Sequence, residues 1–254
     1  MVPKLGMNML YEWLTNDIIS LLIRGFALTI WLSAATSVLS LIVGVFVGIV
    51  KINRDPILSR IASVFIEIHR NVPALVLIIF WAFALPSLFP LEIRKALFFD
   101  NNFMRQFEIL SGLSIPYYAL AAGLAITLNT SAYIAELFRA GVGTIHQEHL
   151  EASRTLGASK WIQRWQIVIP QGIRAAFPAI STRLIHNMKN TALAAFVSTP
   201  EFFHTIQTAI TRSFHAVEML LIASVVYLII SIAFANFLGW IERRLNRFPA
   251  RSEA

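Results

Sequence analysis

Long apolar stretches dominate the chain, and charge is concentrated between them. The first, GFALTIWLSAATSVLSLIVGVFVGIV from Gly25 to Val50, contains no charged residue. It exceeds the roughly 20 residues that a helix needs to cross about 30 Å of hydrocarbon. No small-residue cleavage site ends it before Lys51, so an uncleaved anchor is expected here and not a signal peptide. A second apolar segment, 57–85, is broken by Glu67, His69, Arg70 and Pro73, and neither half is long enough to span alone. One interrupted helix is expected. Further spans fall at 117–139, 171–199 and 217–240, with Tyr117, Tyr118 and Trp240 near their ends, where interfacial aromatics belong.

The pattern therefore predicts an all-α membrane protein with five transmembrane helices. No fixed-period repeat and no Pro/Gly/Ser-rich linker divides it, so residues 1–254 are expected to form a single transmembrane domain. The stretch 86–116 mixes Glu92, Arg94, Lys95, Asp100, Arg105 and Glu108 with apolar residues, as short amphipathic pieces at a membrane surface would.

Composition agrees: 57% of residues are hydrophobic and 14% charged, where a soluble domain carries about a quarter charged residues. The absence of cysteine excludes disulfides, a thiolate nucleophile and cysteine-ligated metal sites. The formal net charge of +7 suits nucleic acid or the inner leaflet of a membrane, and the apolar content decides for membrane lipid; no nucleic-acid partner is expected.

With five spans the termini lie on opposite sides. If the C-terminus is inside, twelve basic residues fall in inner segments (Lys51, Arg54, Arg60, Arg139, Arg154, Lys160, Arg164, Arg174, Arg243, Arg244, Arg247 and Arg251). Five then fall in outer ones (Lys4, Arg94, Lys95, Arg105 and Arg212). The positive-inside rule puts the N-terminus outside and the C-terminus in the cytoplasm.

The inner loop of about 141–170 reads as two short helices and a hinge. Glu148 to Leu156 is rich in helix formers, Gly157 can take the left-handed conformation that ends a helix, Ser159 can cap the next, and Pro170 can open a third. Leu150, Leu156, Trp161, Ile162, Trp165, Ile167 and Ile169 are too apolar for a solvated connection. Either the loop lies on the inner leaflet or a soluble partner covers it.

This loop resembles that of the permease subunits of ATP-binding-cassette importers, which reads Glu-Ala-Ala, three residues, Gly, nine residues, Ile-x-Leu-Pro. The chain has Glu151, Ala152, Ser153, then Gly157, then Ile167, Val168, Ile169 and Pro170 at those spacings. Ser153 and Ile169 replace Ala and Leu while keeping small size and apolarity. The segments from Gly25 to Asp55, IEIHRNVPALVLIIFWAFALP, ALAAGLAITLNTSAYIAELFRAGV and MKNTALAAFVSTPEFF together resemble the polar amino acid importers, from about Leu22 to Leu245. That branch commonly reads Arg-Gly-Thr-Pro where this chain has Arg70, Asn71, Val72 and Pro73.

The resemblance implies a permease of the bacterial inner membrane, paired with an identical or homologous permease subunit. It also implies a cytoplasmic ATPase dimer, which binds the ATP and Mg, and an extracytoplasmic substrate-binding protein. It makes Glu151, Ala152, Ser153, Gly157, Ile167 and Pro170 the ATPase-coupling residues, with Glu151 as polar anchor and the Glu151–Leu156 helix as a lever. The chain has no G-x-x-x-x-G-K-[ST] loop, so it is not expected to hydrolyse ATP or to bind a cofactor itself.

Ionisable groups at membrane depth cost about 3 kcal/mol or more when lipid-exposed, so they face cavities or partners. The candidates for the substrate pathway are Glu67, Arg70, Asn129, Glu136, Lys189, Asn190 and Thr191. Asn129, Tyr133 and Glu136 share a helix face, although Glu136 lies near a span end and suits the coupling region equally well. Interhelical hydrogen bonds and ion pairs explain the same residues. His146 and His149 lack a third ligand, and no metal site is expected. An ion-coupled secondary transporter or channel is the alternative function; it leaves the apolar loop without a purpose.

Overall fold

The computed structural model describes residues 14–53, 55–99, 106 and 116–245, and every regular element among them is helical. Lys4, Arg54, Arg105, Arg247 and Arg251 of the charge count, and most of 100–115, lie outside the described residues.

Helix α1 (Asn16–Lys51) extends the first apolar run toward the N-terminus, with Asp17 in its first turn and Lys51 in its last, both favourable to the helix dipole. Helix α2 (Pro56–Asn71) begins where Asp55 accepts from the backbone N–H groups of Ile57 and Leu58 at 2.9 and 3.1 Å, with Pro56 in its first turn. It stops at Val72, which Pro73 holds extended at φ −87° and ψ 130°. Helix α3 (Ala74–Ser87) leaves at 104°. The second apolar segment, expected as one interrupted helix, is a pair of helices joined by a sharp bend: the residue before a proline disfavours helical geometry, and the axis turns there.

A short helix α4 (Leu91–Arg94) follows, then α5 (Tyr117–Gly143), α6 (Gln147–Thr155) and α7 (Lys160–Ile162). From α7 the chain stays helical through a widened π-turn, Gln163–Val168, into α8 (Ile169–Asn190). A helix starting at Pro170 was expected. Instead Pro170 continues one that is already running, and the widened turn falls where its ring would meet the carbonyl four residues earlier. A 3-10 stretch, Thr191–Val197, leads to α9 (Phe202–Ser213) and α10 (Ala216–Leu245).

Among the described residues α1, α5 and α10 are long and apolar enough to cross a membrane, and α2 with α3 makes a fourth if the bent pair counts as one span. Helix α8 has the length, at 22 residues, but carries Arg174, Arg183, His186 and Lys189.

The chain divides into two compact units. The first draws on Met1–Ala35, Ile78–Ala125 and Met188–Ile230. Its core is Ile18, Phe202, Ile206, Ala209, Met219 and Ala223. The fully buried Glu201 caps α9 by accepting from the N–H groups of Phe203 and His204, and it also accepts from the Thr29 and Tyr227 hydroxyls at 3.2 and 3.0 Å. With four donors on one carboxylate, its burial is compensated.

The second unit draws on Thr36–Leu77, Ile126–Asn187 and Ser231–Ala254. Ile134, Ala176, Ile180, Leu184 and Leu238 form its core. Buried Asn187 on α8 accepts from the Thr130 hydroxyl at 2.8 Å and donates to the Thr36 and Ser37 hydroxyls at 2.8 and 3.1 Å, tying α8 to α5 and α1.

Candidate functional site

Two groups of residues in the second unit carry the candidate chemistry: the turn between α6 and α7, and a polar cluster on α2, α5 and α8.

Helix α6 closes in a Schellman motif: the Gly157 N–H donates to the Arg154 carbonyl and the Ala158 N–H to the Ser153 carbonyl, both at 2.9 Å. Gly157 sits at φ +82°, left-handed as the sequence suggests. Ser159 then caps α7, its hydroxyl accepting from the Ile162 N–H. Ser153, at the second small position of the motif, is buried, and its hydroxyl donates to the Leu150 carbonyl at 2.7 Å. Gln163 donates to the same carbonyl, so α6 is fastened to the start of the next helix. The Arg164 guanidinium reaches the Asn53 side chain at 3.2 Å and anchors that helix to the end of α1.

Glu151 and Ala152 are exposed. Leu156 is 88% exposed and Trp161 68%, with the Trp165 ring 6.0 Å from that of Trp161. Ile167 is half-buried and Ile169 buried, so the motif's two halves differ: its second half packs inward, while its first half presents an uncovered surface. Burying a large apolar side chain is worth about 1.5–3 kcal/mol, which leaves a driving force for something to cover this patch.

Beside the loop, Glu136 accepts from Lys51 at 3.0 Å and from Arg139 at 2.6 Å. It joins α5 to the end of α1, and among the described residues its carboxylate makes no hydrogen bond with Asn129 or Tyr133. Its two partners lie at the end of α1 and in the last turns of α5.

The polar cluster gathers around Tyr133. The Arg183 guanidinium carbon lies 3.8 Å from its ring centre and that of Arg70 5.2 Å. The Tyr133 hydroxyl donates to the Arg70 carbonyl at 3.2 Å. Asn129, buried, accepts from Arg183 through its amide oxygen and donates to the His69 carbonyl at 2.6 Å. Arg70, Asn129 and Tyr133 are thus brought together.

Glu67 is exposed and forms no ion pair among the described residues; it does not join the cluster. Lys189 is exposed, Asn190 half-buried, and Thr191 buried with its hydroxyl donating to the Met188 carbonyl. The described residues contain no group of three or more potential metal ligands. The His149 side chain lies outside the described residues.

Sequence reasoning did not single out Arg183 and Asn187. Their signal was present, since two polar residues one turn apart on an otherwise apolar helix face must meet partners, but the partners sit on other helices.

The chain matches the family described as "Binding-protein-dependent transport system inner membrane component" over residues 40–247. The glutamine transport system permease protein GlnP of Escherichia coli (strain K12) is 30% identical over 228 residues, 90% of this chain and 94% of that protein. The L-cystine transport system permease protein TcyL of Bacillus subtilis (strain 168) is 27% identical over 251 residues, 99% and 96% of the two chains. Among solved structures, an amino acid ABC transporter crystallised with histidines matches with a TM-score of 0.69 at 24% identity, over 96% of this chain and 99% of that one. The inward-facing MetNI methionine ABC transporter matches at 0.68 and 18% identity, over 91% and 99%.

Proposed function

The chain belongs to the family of inner membrane components of binding-protein-dependent transport systems, and from that premise we propose that it carries polar amino acids inward across the bacterial cytoplasmic membrane. Members of this family are permease subunits; ATP hydrolysis lies on a partner subunit. The observation that carries the reading is the turn of α6, Gly157 and α7, which presents Glu151, Ala152, Leu156 and Trp161 uncovered on a rigid frame.

In this reading 1–254 is a single permease domain of five spans. The loop of about 141–170 faces the cytoplasm, with the N-terminus outside and the C-terminus inside, as the twelve-to-five distribution of basic residues supports. Helix α6 seats in a groove of the ATPase, and closure of the ATPase dimer around ATP and Mg displaces it. Because α7 runs unbroken into α8, a displacement at Trp161 is carried along one helical rod to Arg183. Gly157 sets the angle between lever and rod, Ser153 lets the two pack closely, and Ile167 and Pro170 seat the rod. In the second unit the pathway is lined by Arg70 and Asn129, with Glu67 as a further lining position and Glu136 on the coupling side; Lys189, Asn190 and Thr191 are separate candidates of the first unit. A second permease subunit, identical or homologous, and an extracytoplasmic binding protein complete the importer.

The test is transport in proteoliposomes containing the permease, its ATPase and its binding protein. Uptake of a polar amino acid that requires enclosed ATP is the expected result. Uptake driven by an ion gradient without the ATPase would overturn the proposal.

A further inference from the structure

Arg70 and Arg183 flank one ring, yet among the described residues neither guanidinium has a carboxylate within ion-pair distance. Two like charges near one aromatic ring repel one another, and the repulsion grows as water leaves. The Tyr133 ring offsets part of it through its negative face. An anion offsets more. The buried Arg183 Nε has no hydrogen-bond partner among the described residues, while one terminal nitrogen is held by the Asn129 oxygen. Asn129 is itself oriented by the His69 carbonyl. The guanidinium is therefore aimed by a fixed amide and retains unused donors.

Resting on the amino acid reading above, we propose that Arg183 and Arg70 form a clamp for the carboxylate of the transported solute. Tyr133 spaces the two cations, and Asn129 positions Arg183. A planar fork of N–H donors matches a carboxylate bidentately. With its oxygen committed to Arg183, Asn129 is not the acceptor for the solute ammonium. The substrate class follows from the charge: a solute of zero or negative net charge enters the clamp, whereas a second cationic group, as in arginine or lysine, meets two guanidiniums and no carboxylate of the cluster. Permitted substrates are thus neutral or acidic amino acids.

Binding of radiolabelled L-glutamine, L-glutamate and L-arginine to the purified permease–ATPase complex, without binding protein, tests this. Glutamine or glutamate should bind, with arginine and the α-amide of glutamine at least about tenfold weaker. Arg183→Gln and Arg70→Gln should each weaken binding about tenfold or more, while Arg183→Lys should restore part of it. Arg70 is exposed, and among the described residues its side chain makes only the ring contact, so Arg70→Gln assembles even if Arg183→Gln does not.

Equal binding of glutamine and its α-amide, or tighter binding of arginine, would overturn the clamp. So would unchanged binding in Arg70→Gln. Failure of the amino acid reading is distinguishable: the complete importer would then take up none of these amino acids. If the clamp proposal alone fails, the complete importer takes up these amino acids and binding is unchanged in Arg70→Gln; if it holds, uptake falls with binding in both variants.

Discussion

A β-carbon built on Gly141 would stand 2.6 Å from the carbonyl oxygen of Gly172, and one on Gly172 would stand 2.5 Å from a Val142 methyl. The end of α5 and the start of α8, which flank the α6–α7 turn, therefore meet backbone to backbone. At Gly141 the obstacle is main chain, so no rotamer change relieves it.

Gly141→Val is expected to destabilise the subunit by about 1–3 kcal/mol, the usual range for overpacking. It should lower the thermal midpoint of the purified complex. Gly143→Ala is the matched control: nothing lies within 4 Å of its added carbon, and the midpoint should hold. Equal effects of the two substitutions would show that the helices do not approach as described.

At Gly157 the constraint is conformational and not spatial. A side chain there meets nothing within 4 Å, but φ is +82°. Asn tolerates that region and Val does not, with a penalty of about 1–2 kcal/mol for ordinary residues. Gly157→Asn should keep most ATP-dependent uptake, whereas Gly157→Val should insert normally but stimulate its ATPase poorly. The hinge argument fails if both behave alike.

Asn187→Leu removes an amide that serves three buried hydroxyls. The buried Thr130 hydroxyl loses its acceptor, which costs about 1–3 kcal/mol at most, less where it finds another. A fall in thermal midpoint with the subunit still inserted is the expected outcome of a melting measurement in detergent. An unchanged midpoint would remove Asn187 as the tie between α1, α5 and α8.

The α6–α7 turn was legible because its determinants are local. Glycine where φ is positive and serine before the next helix act within a few residues, and both stand where the structure uses them, whereas Pro170 opens no new helix. The break at Pro73 was visible for the same reason, but its 104° turn was not, since one extended residue fixes a break and not the direction in which the chain resumes.

The clamp was only half legible. Arg70 and Asn129 stood out as polar groups in apolar segments, but Arg183 meets them from 54 residues beyond Asn129, through helix packing that no local pattern encodes. Glu136 illustrates the limit of periodicity. It shares a face with Asn129 and Tyr133, yet Lys51 and Arg139 claim its carboxylate.

In the proposed importer the α6 turn is a cytoplasmic docking element for the ATPase. Because the chain has no cysteine, Ala152→Cys provides a unique label site on the exposed turn. The decisive measurement is its labelling rate with a membrane-impermeant maleimide, on inside-out and right-side-out vesicles, with and without the ATPase. The account predicts labelling of inside-out vesicles only, slowed severalfold when the ATPase is present. Labelling from the outer face, or a rate indifferent to the ATPase, would contradict it.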